Sequence, residues 1–144
     1  MRPLLLLLAV LPALAQAEQT VQLSAGTHLI RAEVAADMAT RSRGLMFRKS
    51  LAPNAGMVFI FDEVSTHCMW MKNTYVPLSV AFLDESGAII NIEDMAPQTE
   101  DSHCAKKPAR YALEMERGWF ASRGIKPGSK LGGIDKLSGA PPSR

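Results

Sequence analysis

The chain has 144 residues, with 16 Lys or Arg and 14 Asp or Glu, so its net charge of +2 selects no class of partner. Its charged stretches lack the interleaved aromatic residues of a nucleic-acid groove, and we expect no nucleic-acid partner. The length favours one domain with its own core, which we expect to be a monomer. The signature motifs of P-loop, serine-hydrolase, zinc-protease and EF-hand proteins are missing from the sequence.

The first 17 residues predict a secretory signal peptide. Arg2 supplies the positive charge, residues 4–14 are apolar, and Ala15-Gln16-Ala17 is typical of a cleavage site. The apolar run is shorter than the ~20 residues that span a membrane, so we expect no membrane span after cleavage. The sequence thus predicts an exported, periplasmic or secreted protein with a domain at 18–136 and a disordered tail at 137–144.

Apolar residues alternate with polar ones over most of the remaining chain. Residues 30–34 and 112–116 show this period of two, residues 56–61 are a short apolar run, and the segments 78–83 and 88–93 flank a turn. This pattern predicts a mainly β protein (α+β by some criteria), a compact antiparallel β-sandwich or barrel-like single domain. By this alternation, residues 112–116 should form a half-buried strand with Glu114 on its exposed face.

Two short helices are expected between the strands. Asp37 can cap a helix over residues 38–43, and Gly44 suits the position after its end. Residues 118–123 are apolar in part and are closed by Gly124. At about two turns each, both helices depend on packing to form.

The two cysteines, Cys68 and Cys104, are the only ones in the chain. An even number of cysteines in an exported protein favours a disulfide bond between them. A competing hypothesis uses the neighbouring histidines, because His67-Cys68 and His103-Cys104 could together form a metal site if the thiols stay reduced.

A set of short motifs resembles the DUF192 family, also called UPF0127. The motifs are Arg43-Gly44-Leu45-Met46-Phe47-Arg48, Gly56-Met57-Val58-Phe59, Trp70-Met71-Lys72-Asn73-Thr74, Pro77-Leu78 and Leu113-Glu114. The resemblance runs from about Val21 to Leu131. It implies a compact, mainly β domain with small helices, often exported, but no characterised activity. Ser79 departs from the family, which often has Asp at this position.

The stretch after Cys68 is the strongest candidate for a ligand site. Trp70, Lys72, Asn73 and Thr74 could bind a ligand at the mouth of a pocket walled by Trp70, Tyr75 and Trp119. Glu114 is a candidate acid or base at this site. The alternative is a structural role, in which the polar side chains shape a turn. Lys72 would then lie over the Trp70 ring or form an ion pair with Glu114. Arg43 is a second possible ion-pair partner for Glu114.

The same stretch carries a weaker candidate for a metal site. If residues 67–71 form a strand, His67, Met69 and Met71 share one face, and thioethers with imidazole suit copper. The alternative is that these methionines fill the core. No other cofactor is predicted.

Three functional hypotheses therefore follow from the sequence. The first is a non-enzymatic periplasmic binding or accessory domain for a small polar or envelope-derived ligand. The second is a copper-handling protein. The third is an enzyme of unresolved class, with Glu114 or His67 as its acid or base.

Overall fold

The computed structural model describes residues 18–138, so the predicted signal peptide and the last six residues lie outside the described residues. Nine strands and one α-helix follow one another as β1 (Thr20–Ala25), β2 (His28–Ala35), α1 (Met38–Arg43), β3 (Ala55–Ser65), β4 (Cys68–Met69), β5 (Leu78–Leu83), β6 (Ile89–Met95), β7 (His103–Cys104), β8 (Ala109–Glu116) and β9 (Leu131–Gly132). Two 3-10 helices cover Ala121–Arg123 and Ile134–Leu137.

Seven of the strands form one curled sheet in the order β6-β5-β8-β3-β2-β1-β9. This confirms the mainly β, barrel-like prediction. The strand pairs are antiparallel except β2 with β3, which run parallel. The predicted antiparallel arrangement does not extend to this pair, because α1 lies in the connection between β2 and β3. A helical crossover returns the chain to the same end of the sheet, which makes the next strand parallel.

The core lies on both faces of this sheet. On β8, Tyr111, Leu113 and Met115 point to the first face, while Ala112 and Glu114 point to the second. The first face is covered by the segment 119–137. The second face is covered by the segments 45–51 and 69–76, together with residue 105.

The predicted exposure of Glu114 is therefore wrong. β8 lies between β3 and β5 in the middle of the sheet, and both of its faces are covered. A strand in that position is buried on both sides even where its sequence alternates.

The helix α1 begins and ends as predicted. The Asp37 carboxylate accepts a hydrogen bond from the backbone N–H of Thr40 at 2.8 Å, and Gly44 follows the last turn with φ +48°. Arg41 fixes the helix to the sheet by donating to the carbonyl oxygens of Ala36 at 2.6 Å and Ile60 at 3.0 Å. These contacts hold the end of α1 over the second face.

The second predicted helix is shorter than expected. A turn precedes the 3-10 helix Ala121–Arg123, which Gly124 ends in the left-handed region at φ +67°. The tail predicted at 137–144 begins too early, because Leu137 is buried against the first face. In the described range, no helix is long and apolar enough to cross a membrane.

Candidate functional site

A disulfide bond joins Cys68 to Cys104, as predicted, with the two residues paired across β4 and β7. The buried amide of Asn91 supports this pair: its Nδ2 donates to the Cys104 carbonyl oxygen at 3.1 Å, and its Oδ1 accepts from Lys106 N–H at 3.0 Å. Because both sulfurs are oxidised, the thiolate metal site with His67 and His103 is excluded in this structure.

The polar residues after Trp70 form a tight turn. The Thr74 hydroxyl donates to the Lys72 carbonyl oxygen at 3.0 Å, and Asn73 adopts a left-handed conformation with φ +52°. The Asn73 carbonyl oxygen accepts a hydrogen bond from Phe47 N–H at 2.9 Å. The turn is thereby tied to the segment that follows α1.

Between these two segments the second face of the sheet opens into a pocket of about 180 Å³. Its floor includes the Phe59 ring and Glu114. Gly44 packs over this floor, since a Cβ there would lie 3.4 Å from the Phe59 ring. The lining residues are Arg41, Ser42, Arg43, Gly44, Leu45, Met46, Phe59, Cys68, Met69, Trp70, Thr74 and Glu114.

Glu114 is the most unusual group in the pocket. Its side chain stands on the second face between Met57 of β3 and Val80 of β5, and the residue is only 4% exposed. Within residues 18–138 its carboxyl group has no hydrogen bond or ion pair. Among residues 18–138, every fully enclosed polar side-chain atom has a hydrogen-bond partner. The Glu114 carboxyl group has none, so it is not fully enclosed, and the pocket that it lines is where it remains accessible.

Burial raises the pKa of the Glu114 carboxyl group from 4.5 to about 8. The cause is removal of the charged form from water, and within residues 18–138 no hydrogen bond or ion pair offsets it. The predicted ion pair of Glu114 with Lys72 or Arg43 is therefore wrong. At neutral pH the group is mostly the neutral acid, which can donate as well as accept a hydrogen bond.

Only some of the predicted ligand residues meet at this pocket. Trp70, Thr74 and Glu114 line it, and Trp70 is 47% exposed. The Lys72 ammonium lies 5.2 Å from the centre of the Trp70 ring, outside the lining, and the exposed Asn73 is also outside it.

Two of the three aromatic residues expected to wall the pocket, Tyr75 and Trp119, lie outside its lining. Trp119 is buried on the first face, where its indole N–H donates to the Asn54 side chain at 3.0 Å and the Arg123 guanidinium lies 4.4 Å from its ring. Tyr75 is outside the lining and contacts the Phe47 ring edge-on, with ring centres 6.2 Å apart.

The three copper candidates occupy different surroundings. The His67 ring stacks on Phe61 at 3.7 Å, and its Nε2 lies 2.8 Å from the Glu63 carbonyl oxygen. Met69 lines the pocket, while Met71 is fully buried in the core. The strand expected to align them ends at Met69. In the described part of the chain, no cluster of three or more His, Cys, Asp or Glu side chains is arranged to hold a metal.

Sequence reasoning missed the residues that α1 and its end contribute to the pocket, chiefly Arg41, Arg43 and Met46. Arg43 and Met46 belong to a family motif, but alternation and charge patterns give no signal that a helix end will cover a distant strand. One signal was readable: Glu114 shares a strand face with Ala112, which belongs to the core.

Ser79 is a structural residue away from this pocket. Its hydroxyl donates to the Asp94 carboxylate at 2.6 Å and accepts from Gly118 N–H at 3.0 Å. Its neighbours in sequence, Leu78 and Val80, point to the second face, so Ser79 points to the first. Ser79 therefore does not contribute to the pocket.

The solved structures that resemble this chain include two that are more than 30% identical to it. One is a protein from Sinorhizobium meliloti 1021 described as a putative transcription regulator, 37% identical, with a TM-score of 0.73, covering 80% of this chain and 92% of that one. The other is a protein of unknown function from Novosphingobium aromaticivorans DSM 12444, 34% identical, with a TM-score of 0.77, covering 85% and 90%.

No curated protein matches the chain. The family model of DUF192, described as uncharacterized ACR, matches residues 20–133. That match spans most of the chain and contains every residue that lines the pocket. The chain therefore belongs to the DUF192 family.

Proposed function

We propose that this domain is a non-enzymatic binding or accessory protein that holds a small polar ligand in the pocket above Glu114. The observation that carries the proposal is the buried carboxyl group of Glu114, which has no partner in residues 18–138 and faces an open space. A hydrogen bond typically contributes about 0.5–1.5 kcal/mol net. A ligand that bonds to this carboxyl group gains free energy of this size.

The walls and the size of the pocket support the same function. Trp70 offers an aromatic face, and Met46 and Met69 offer flexible thioether side chains that adapt to a bound molecule. The volume of about 180 Å³ is below that of typical drug-sized sites. The pocket therefore suits a molecule of few atoms, or one terminal group of a larger envelope-derived compound.

The disulfide bond supports a working place outside the reducing cytosol. Disulfides persist mainly in secreted and periplasmic proteins. Together with the predicted signal peptide, this bond leads us to infer a periplasmic or secreted ligand-binding protein.

The test is a screen of small polar compounds and envelope extracts by thermal shift, with NMR titration of each hit. We expect ligands that stabilise the protein and shift resonances of residues around the pocket. Glu114→Gln should weaken these ligands, whereas Glu116→Gln should not, because Glu116 is exposed at the end of the same strand. Ligands that bind elsewhere, or that bind both variants equally, would contradict the proposal.

A second candidate is an enzyme that uses Glu114 as a general acid. The raised pKa of this carboxyl group favours it, because a general acid must be protonated near neutral pH. Each ligand from the screen can be followed by NMR over time with the wild type and Glu114→Gln. Conversion by the wild type alone supports catalysis, and an unchanged ligand supports binding.

A further inference from the structure

The pocket has an acidic floor and a basic rim. Arg41 and Arg43, from α1, line the same pocket as Glu114. The Arg41 guanidinium is engaged by the backbone of Ala36 and Ile60 and by an ion pair with Asp62 at 2.9 Å. Arg43 is exposed, and within residues 18–138 its side chain makes no hydrogen bond or ion pair. Glu114 and Arg43 thus belong to one small pocket, and within residues 18–138 neither side chain makes a hydrogen bond or ion pair, although the charge of Arg43 also helps to lower the pKa of Glu33.

The other surroundings of Glu114 add no competing anion. Its neighbours on the adjacent strands are Met57 and Val80. The segment above it contributes Lys72, which lies over Trp70. The next acidic residues on the same face of the sheet are Glu33 of β2, paired with Met57, and Glu93 of β6, paired with Val80. Glu33 is bound by Arg48 at 2.6 Å, and Glu93 accepts a hydrogen bond from Asn91 Nδ2 at 3.0 Å.

A second depression differs from this pocket because its charged side chains form ion pairs with one another. It holds about 380 Å³ and is lined by Glu18, Glu33 and Arg48 among others. Its charges pair with one another, and the Arg48 guanidinium lowers the pKa of the Glu33 carboxyl group. This depression needs no ligand to complete its charges, unlike the pocket of Glu114 and Arg43.

Building on the proposed binding function, we infer that the ligand is a compact zwitterion, whose ammonium group binds Glu114 and whose anionic group binds Arg43. An ammonium group brings three donors to a carboxylate that has none. The aromatic face of Trp70 tolerates a nearby cation. The planar guanidinium of Arg43 can bind a carboxylate or phosphate through two parallel hydrogen bonds.

Proton release identifies this mode of binding. Because burial holds the pKa of Glu114 at about 8, most of the free protein carries a neutral Glu114 at pH 7. An ammonium group favours the ionised carboxylate, so binding expels the proton into the buffer. A ligand that accepts a hydrogen bond from neutral Glu114 leaves the proton in place.

Four probes of similar size separate the contribution of the ammonium group from that of the anionic group. They are β-alanine with both groups, propylamine with the ammonium alone, propionate with the carboxylate alone, and the uncharged propionamide. NMR titration should rank β-alanine first and propylamine second, and calorimetry in two buffers at pH 7 should show about one proton released by each. We expect Glu114→Gln to weaken β-alanine at least about tenfold. Arg43→Gln should weaken β-alanine about three- to fivefold and leave propylamine unchanged.

Two controls match these variants. Glu116→Gln removes a carboxylate from the exposed end of β8, and Lys49→Gln removes an exposed cation outside the lining, and neither should change the ranking. Tighter binding of propionate or propionamide than of β-alanine, without proton release, overturns the zwitterion and leaves the proposed binding function standing. If none of the four probes binds but the general screen yields ligands that depend on Glu114, the zwitterion is also overturned and the binding function stands. A failure of every compound in both experiments overturns the binding function as well.

Discussion

Phe47 and Asn73 are joined by a hydrogen bond of 2.9 Å from the N–H of the first to the carbonyl oxygen of the second. Both residues lie in the left-handed region, with φ of +65° and +52°. The bond links the segment after α1 to the turn after β4, and these segments form the two sides of the pocket. Part of the family signature is thus the frame that sets the width of the pocket.

The backbone conformation of Asn73 predicts a graded response to substitution. Asn tolerates the left-handed region and Gly adopts it freely, whereas a β-branched residue is strained there. We expect Asn73→Gly to change the free energy of unfolding by less than about 0.5 kcal/mol and Asn73→Val to lower it by about 1–2 kcal/mol. Denaturant unfolding measures both, and an equal loss from the two would show that the amide side chain matters instead.

Glu114 predicts an unusual dependence of stability on pH. Burial raises its pKa from 4.5 to about 8, so the folded state holds this proton more tightly than the unfolded state. Its contribution to stability is complete below pH 4.5 and is lost as the pH rises to about 8. Over this window the free energy of unfolding should fall by about 1.4 kcal/mol for each pH unit.

The matched comparison for this effect is Glu114→Gln against Glu116→Gln. The glutamine at 114 does not titrate, so that variant should lose the falling slope, while the variant at 116 should keep it. The carboxyl groups of Asp37 and Asp84 have lowered pKa values, and they act in the opposite direction at more acid pH in every variant. A wild type and a Glu114→Gln variant with parallel pH profiles would argue against a buried neutral acid.

Much of the fold was predictable because its signals are local. The cap of α1 at Asp37, the hairpin of β5 and β6 and the pairing of Cys68 with Cys104 all appear as expected. The parallel pair of β2 and β3 was not predicted, because it depends on a crossover rather than on neighbouring residues. The same holds for the burial of β8, which follows from its central place in the sheet.

The candidate site was predictable only in part, for a related reason. Of the candidate ligand residues, Trp70 and Thr74 line the pocket, and Glu114 belongs to the same pocket on its buried floor. Trp119 was misplaced because sequence patterns do not tell which face of a sheet a later loop covers. The sequence predicts Arg43 as a partner for Glu114 and as part of a family motif, but not its place at the pocket, which depends on where α1 packs.

The disulfide bond predicts that the stability of the domain depends on redox conditions. It closes a loop of 36 positions, which corresponds to about 3–4 kcal/mol of stability in the chain-entropy model. Since the chain has two cysteines, a reductant acts on this bond alone. Denaturant unfolding should show this loss on reduction and in the Cys68→Ala, Cys104→Ala double variant. Stability unaffected by either treatment would show that the β4–β7 pair holds without the bond.

Trp70 provides an optical readout and a separate prediction. It is one of two tryptophans, and the other, Trp119, is buried on the opposite face, so Trp119→Phe leaves a fluorophore at the pocket alone. Trp70→Ala should weaken a bound ligand about tenfold while changing the free energy of unfolding by about 0.5 kcal/mol or less, because the ring is half-exposed.

The control for Trp70→Ala is Tyr75→Ala. Tyr75 is 44% exposed, close to the 47% of Trp70, but it lies outside the pocket lining. Its removal should leave ligand affinity and the fluorescence response unchanged, since its ring contacts Phe47 instead. Equal losses of affinity from the two variants would place the ligand on the exposed aromatic surface outside the pocket, whereas a loss confined to Trp70→Ala places it above Glu114.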